Sequence, residues 1–218
     1  MRTSALATRF VAPVILAGLA LAGCAAPRES MPARLEVSAA SCARAPDLTK
    51  AMAFAAPKDG TYTATVRFDD GAACLLDAAG SKNAYVVLAL PPVDQPAIVT
   101  VTSLAMGQTI FSPRLALLDE KGALLRAIGR DAFMFNGSSL QTQFRQRPGE
   151  QYLVIASDSA TAGKTVEQIQ SLKNTTPIVA GPVVVPVSIG AETKAQLIFA
   201  HNGEVTATVA PMPKADAR

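Results

Sequence analysis

From residue 61 onward, apolar and polar positions alternate over short stretches, and clusters of Gly, Pro, Asn and Asp break the alternation into pieces. Thr61–Phe68 is the cleanest piece. Tyr62, Ala64, Val66 and Phe68 share one face and Thr and Arg residues the other, the pattern of a half-buried strand. Asp70-Gly71 then predicts a turn into Ala73–Leu76. Asn83–Leu90 is continuously apolar, as a central strand buried on both faces would be, and Pro91-Pro92 stops it. Ala97–Leu104 is rich in β-branched residues. Arg114–Leu118 and Ala123–Ile128 flank the tight link Asp119-Glu120-Lys121-Gly122, and Phe133–Phe135 and Ser139–Phe144 flank Asn136-Gly137, a type I′ hairpin signal. Pro148-Gly149 leads into Gln151–Ala156. Further strands are predicted at Val183–Val187, Lys194–Ala200 and Glu204–Ala210, the last two joined as a hairpin across Asn202-Gly203. One stretch has a different period. Val166, Ile169 and Leu172 recur at helical spacing, Asp158 or Ser159 can cap the start, and Asn174 and Pro177 can end it. About ten short strands at turn-punctuated spacing, with one short helix, predict a mostly β chain folded as an antiparallel β-sandwich.

The N-terminus follows other rules. Arg2 and Arg9 precede an apolar run from Phe10 to Leu21, interrupted only by Pro13 and Gly18, and the run closes on Leu21-Ala22-Gly23-Cys24. A basic start, a short apolar centre and small residues at a cut site describe a secretory signal, too short for a spanning helix. Leu-Ala-Gly-Cys resembles the lipobox of bacterial lipoproteins, which implies lipidation of Cys24. Residues 1–23 are then the signal peptide and 24–45 the lipidated Cys and a flexible tether, its Pro residues keeping it extended. Within it, an extended piece around Leu35–Val37 is the alternative. Residues 46–212 form the sandwich domain and 213–218 a frayed tail. Ala25 follows the Cys where Asp would signal inner-membrane retention, so the resemblance implies a periplasmic protein held at the outer membrane.

This placement changes the reading of composition. The 218-residue chain carries a formal +3, which falls to +1 because Arg2 and Arg9 leave with the signal and no acid does. No basic field remains to attract nucleic acid, and none is expected as a partner. Half of the residues are hydrophobic, enough for a core, but there is no Trp and there are only three Tyr. With Cys24 taken by lipid, Cys42 and Cys74 remain. An oxidising compartment favours a disulfide between them; the alternative is two separate buried thiols.

Candidate chemistry is sparse. A nucleophilic triad needs a His beside a Ser or Cys. The single His, His201, falls next to Asn202-Gly203 and reads as a solvated turn residue, and no Gly-x-Ser-x-Gly surrounds any Ser. Gly163-Lys164-Thr165 has the end of a phosphate-binding loop, but Asp158 stands where its first Gly should be. Neither a zinc site nor any other cofactor is expected. Asp69-Asp70 could offer calcium two carboxylates, although a hairpin turn explains the pair. Catalysis has no support in the sequence.

Three blocks carry a family resemblance: Tyr85–Pro91 before a Pro-containing break, the run Phe111-Ser112-Pro113-Arg114-Leu115-Ala116-Leu117-Leu118-Asp119, and Gln151–Ile155 leading into Lys164–Leu172. In that order they resemble the maltose operon periplasmic protein family over roughly Leu48 to Met212, with this chain as a lipoprotein variant. The resemblance implies a non-enzymatic, membrane-anchored accessory protein that assists carbohydrate (maltodextrin) uptake or binding. A structural or protein-interaction module of the cell envelope is the second reading. Sugar sites need aromatic faces with polar groups converging on them. Tyr85, Arg130, Asp131, Phe133 and Phe135 are the candidates, the last three beside the Asn136-Gly137 turn.

Overall fold

A computed structural model describes residues 41–69, 71–92, 95–180 and 183–212, with the backbone alone for 169–193. The signal peptide, Cys24, most of the tether with Leu35–Val37, Asp70 and the tail 213–218 lie outside the described residues. The described chain is mostly β, and its core lies between two sheets. The first sheet runs β1 (Met52–Ala53), β5 (Lys82–Ala89), β12 (Tyr152–Ser157), β8 (Pro113–Leu118), β9 (Leu124–Ile128), with β4 (Cys74–Leu76) also paired to β5. The second runs β13 (Thr165–Ala180), β14 (Val183–Ala200), β7 (Thr109–Phe111), β6 (Ala97–Met106), β15 (Gly203–Pro211), β3 (Thr61–Phe68), β2 (Ala55–Lys58). A hairpin of β10 (Met134–Asn136) and β11 (Ser139–Arg145) joins the second sheet along β6. Antiparallel pairs dominate. Two short parallel pairs, β1 with β5 and β14 with β7, make both sheets mixed.

Alternation explains which side chains meet. Ala64, Val66 and Phe68 of β3, Val99 and Val101 of β6, and Val205, Ala207 and Val209 of β15 are buried facing Leu88, Leu117, Leu153 and Ile155 of the first sheet. Each of the Val, Leu, Ile and Phe side chains contributes about 1.5–3 kcal/mol relative to exposure. Phe68 and Phe111 stack at 4.2 Å between ring centroids. Strand β5 is buried on both faces, as its unbroken apolar run predicts. Ala84 and Leu88 point into the main core, while Tyr85 and Val87 pack on the outer side with Leu48, Ala51 and Leu75. That outer layer is held by the N-terminal segment. Ala43 bridges Leu75, and Cys42 is disulfide-bonded to Cys74 across 32 residues. Cys42 and Ala43 are thereby tied to β4.

Four expectations need correction. The helix over Val166–Leu172 is absent: these residues belong to β13, which pairs with β14 from Thr165↔Ile198 to Ala180↔Val183. Three apolar residues at a spacing of three fit a helix, but the segment also carries Thr165, Thr175, Thr176, Ile178 and Val179, whose branched Cβ atoms suit a strand. Strands predicted at Val183–Val187 and Lys194–Ala200 are one strand. Asn202-Gly203 is not a hairpin, because β14 lies beside β7 while β15 lies between β6 and β3. Gly203 is there for a close approach: at φ 149°, a Cβ would stand 2.9 Å from the Phe111 Cβ. The hairpin at Asn136-Gly137 exists, but its loop is Gly137-Ser138 between the pair Asn136↔Ser139. Gly137 has φ 58° and Ser138 is not among the residues with positive φ, the signs of a type II′ turn. The type I′ turn is at Asp59-Gly60, with φ 51° and 77°, between β2 and β3.

Candidate functional site

Two polar regions stand out. The first is buried where β12 ends. Ser157, fully enclosed, accepts a hydrogen bond from the Ala84 N–H at 2.9 Å and lies 2.5 Å from His201 Nδ1. Ser157 Oγ and His201 Nδ1 thus share one hydrogen bond, donated by whichever of the two carries the proton. Burial lowers the His201 pKa, and the Asp158 carboxylate pulls it partly back. Asp158 itself accepts from the Ala160 N–H and the Thr161 hydroxyl, and its N–H donates to the Ser112 carbonyl. His201 is therefore a buried tie between β12 and the β14–β15 connection, not a solvated turn residue. A nucleophile must reach its substrate, and Ser157 has no exposed surface; the pair positions backbone.

The second region is a cleft of about 710 Å³ at one end of the sandwich, between the β5–β6 connection and the β11–β12 connection. Pro91, Pro92 and Pro96 shape one wall, since Pro cannot continue a strand ladder. Residues 145–151 form the other wall, and its geometry comes from one carboxylate. Glu150 is buried and takes the Arg126 guanidinium in two bonds, Nε at 2.6 Å and Nη2 at 3.1 Å. It also accepts the Arg147 N–H at 2.8 Å, while Arg126 Nη2 donates to the Arg145 carbonyl at 2.7 Å. Arg126 further lies 5.0 Å over the Phe144 ring. This clamp fixes the loop backbone and neutralises Glu150 internally. The side chains of Arg145 and Arg147 are exposed and have no ion pair among the described residues, and Gln95, Gln146 and Gln151 supply amides to the same lining. Gln146 Oε1 is buried with no hydrogen-bond partner in the protein. A second hollow of about 410 Å³ shares Pro92 and Gln95 with the cleft and adds Tyr62, Pro57 and Pro211.

The five residues singled out from the sequence do not form one site. Tyr85 is buried in the outer cluster, its hydroxyl accepting the Asp47 N–H at 3.2 Å. Phe133 is buried in the main core and Phe135 packs against it, so neither ring is a platform. Arg130 lies 4.6 Å over the Phe199 ring and donates to the Phe133 carbonyl; burial lowers its pKa while Asp158 raises it. Asp131 is exposed beside Gly129. At Asp69-Asp70-Gly71, Asp69 Oδ1 accepts the Gly71 N–H at 3.0 Å, a turn-forming bond. The cleft residues escaped the sequence reading. Their one local signal was the run Arg145-Gln146-Arg147-Pro148-Gly149-Glu150-Gln151, where charge and amides bunch at a strand end. No family model, curated protein or solved structure matches this chain.

Proposed function

We propose that this chain is a lipid-anchored periplasmic accessory protein, similar to the maltose operon periplasmic proteins, that binds carbohydrate without transforming it. The observation that carries this reading is the cleft of about 710 Å³, a ligand-sized hollow lined by three Gln and two Arg on Pro-braced loops. Amides and guanidinium groups present paired donors and acceptors to hydroxyls. Bracing by Pro and by the Glu150 clamp lowers the ordering cost of binding. The lipobox at Cys24 supports the anchor, and the Cys42–Cys74 disulfide suits an oxidising compartment.

Two experiments test it. Cys24→Ser should move the protein out of the membrane fraction and abolish labelling by a palmitate analogue; persistent labelling removes the anchor from the proposal. Amide NMR of the processed protein should show shifts at Gln95, Gln146 and Gln151 when an oligosaccharide panel is added. If no member of the panel moves those signals, the carbohydrate reading is wrong.

A second reading, an envelope protein-interaction module, is favoured by one observation. Over β13 and over residues 183–197 of β14, the two strands pair only with each other among the described residues. Such edges can accept a strand from a partner.

A further inference from the structure

We infer that the cleft between the β5–β6 and β11–β12 connections selects acidic oligosaccharides, sugars bearing carboxylate groups, over neutral ones of the same size. The inference rests on the carbohydrate reading for the sugar scaffold; the preference for an anion comes from the cleft.

Charge comes first. Three ionisable side chains sit on the β11–β12 wall, Arg145, Arg147 and Glu150, and Arg126 reaches it from β9. Arg126 and Glu150 cancel each other in a two-bond pair, with Glu150 buried beneath the loop. Arg145 and Arg147 are left over, exposed, on the same short stretch as Gln146. Among the described residues this wall carries one uncompensated sign, and a concave surface of that kind raises the local concentration of the opposite charge. The same Glu150 carboxylate that neutralises Arg126 also holds the Arg147 N–H at 2.8 Å, so the wall is positioned by bonds that do not use the two free guanidinium groups.

Energetics then separates acidic from neutral sugars. Neutral pyranoses gain much of their affinity from apolar faces laid on aromatic rings. Tyr62 is the single aromatic among the residues lining the two hollows. Amide bonds to hydroxyls largely exchange for bonds to water, whereas an Arg–carboxylate contact is charge-assisted, bidentate and roughly twice as strong. A ligand that stays in this cleft therefore has to bring anions, with Gln95 and Gln151 reading its hydroxyls.

The test titrates the processed protein, in detergent, with trigalacturonate, with maltotriose and with a short oligoglutamate peptide. Trigalacturonate should bind, and raising salt to about 0.5 M should weaken it by about tenfold, because exposed charge pairs are screened. Arg145→Gln and Arg147→Gln should each weaken it by about tenfold or more with the melting temperature unchanged, since both side chains are exposed. Maltotriose binding as tightly as trigalacturonate, unaffected by either substitution, overturns the inference but leaves the carbohydrate reading standing. Oligoglutamate matching trigalacturonate overturns the sugar class and makes the cleft a site for acidic peptides. No binding by either sugar removes both the inference and the reading beneath it.

Discussion

The sandwich body and the β13–β14 ribbon are built from the same kind of strand under opposite conditions. In the body, β3, β5, β6, β12 and β15 each have neighbours on both edges and a face sealed against the other sheet. The ribbon strands run over Thr165–Ala180 and Val183–Ala200, far longer than an ordinary strand, yet beyond the three residues that pair with β7 each has only the other among the described residues. At its root, Leu197 and Phe199 are buried in the main core. Strand length in the body is limited by the thickness of the core it covers. The ribbon's ladder continues past that limit. An isolated two-stranded hairpin is marginal in water, so the ribbon and the body should differ in how they respond to damage.

The largest effect should come from the body's centre. Phe111 is fully buried and stacked on Phe68, so Phe111→Ala should lose about 3–5 kcal/mol of unfolding free energy in urea melts. A loss below about 1 kcal/mol would show that the ribbon and outer layer carry more of the fold than argued.

Next is the bridge at the body's edge. Replacing Cys42 and Cys74 together by Ser should cost about 3–4 kcal/mol in the chain-entropy account of a crosslink spanning this separation. Amide exchange should speed up in β4 and β5 while the ribbon's rates stay as they were. Equal acceleration in both regions would erase the distinction between them.

A smaller effect concerns His201, at the connection where the ribbon re-enters the body. Its folded pKa is lowered by burial, so the neutral ring is the favoured native form. The stability this lends is present above the unfolded value, about 6.5, and is lost as pH falls through the folded pKa. Melts should therefore weaken on acidification across that window. His201→Gln should flatten that part of the profile; an unchanged slope would mean His201 is not its source.

Smallest should be removal of the ribbon beyond its root. Deleting residues 170–193 and joining Ile169 to Lys194, which are paired across the ladder, through Asn-Gly should change stability by about 0.5 kcal/mol or less. A large loss would place the ribbon inside the body's cooperative unit.

Strand positions in the body were legible in the sequence because their signals are local. Thr61–Phe68 alternates along its own length, and Pro91-Pro92 ends β5 wherever the chain goes next. The Cys42–Cys74 bridge followed from counting thiols and assigning a compartment. Asp59-Gly60, a hairpin signal of the strongest kind, was equally local and was passed over. The cleft was barely legible, because its walls, Leu90–Pro96 and Arg145–Gln151, are far apart in sequence and neither is unusual alone. Tyr85 and Phe133 looked like ligand platforms for the converse reason: an aromatic residue does not announce which face it will bury.

The sequence by itself determined that this chain is a β protein, where most of its strands begin and end, and which side of each strand is apolar. Those properties depend on the period-two alternation and on backbone restrictions at Gly and Pro, and both act within a few residues. Tertiary structure decided the rest. Val166, Ile169 and Leu172 satisfy a helix and a strand equally until β14 is available as a partner. Asn202-Gly203 could have closed a hairpin, but β6 and β3 claimed both edges of β15. His201 became a buried tie because folding brought Ser157, 44 residues away, to its ring. Strand pairing and the burial of polar groups are long-range choices among competing partners, and a residue's own neighbours in sequence carry no record of which partner prevails.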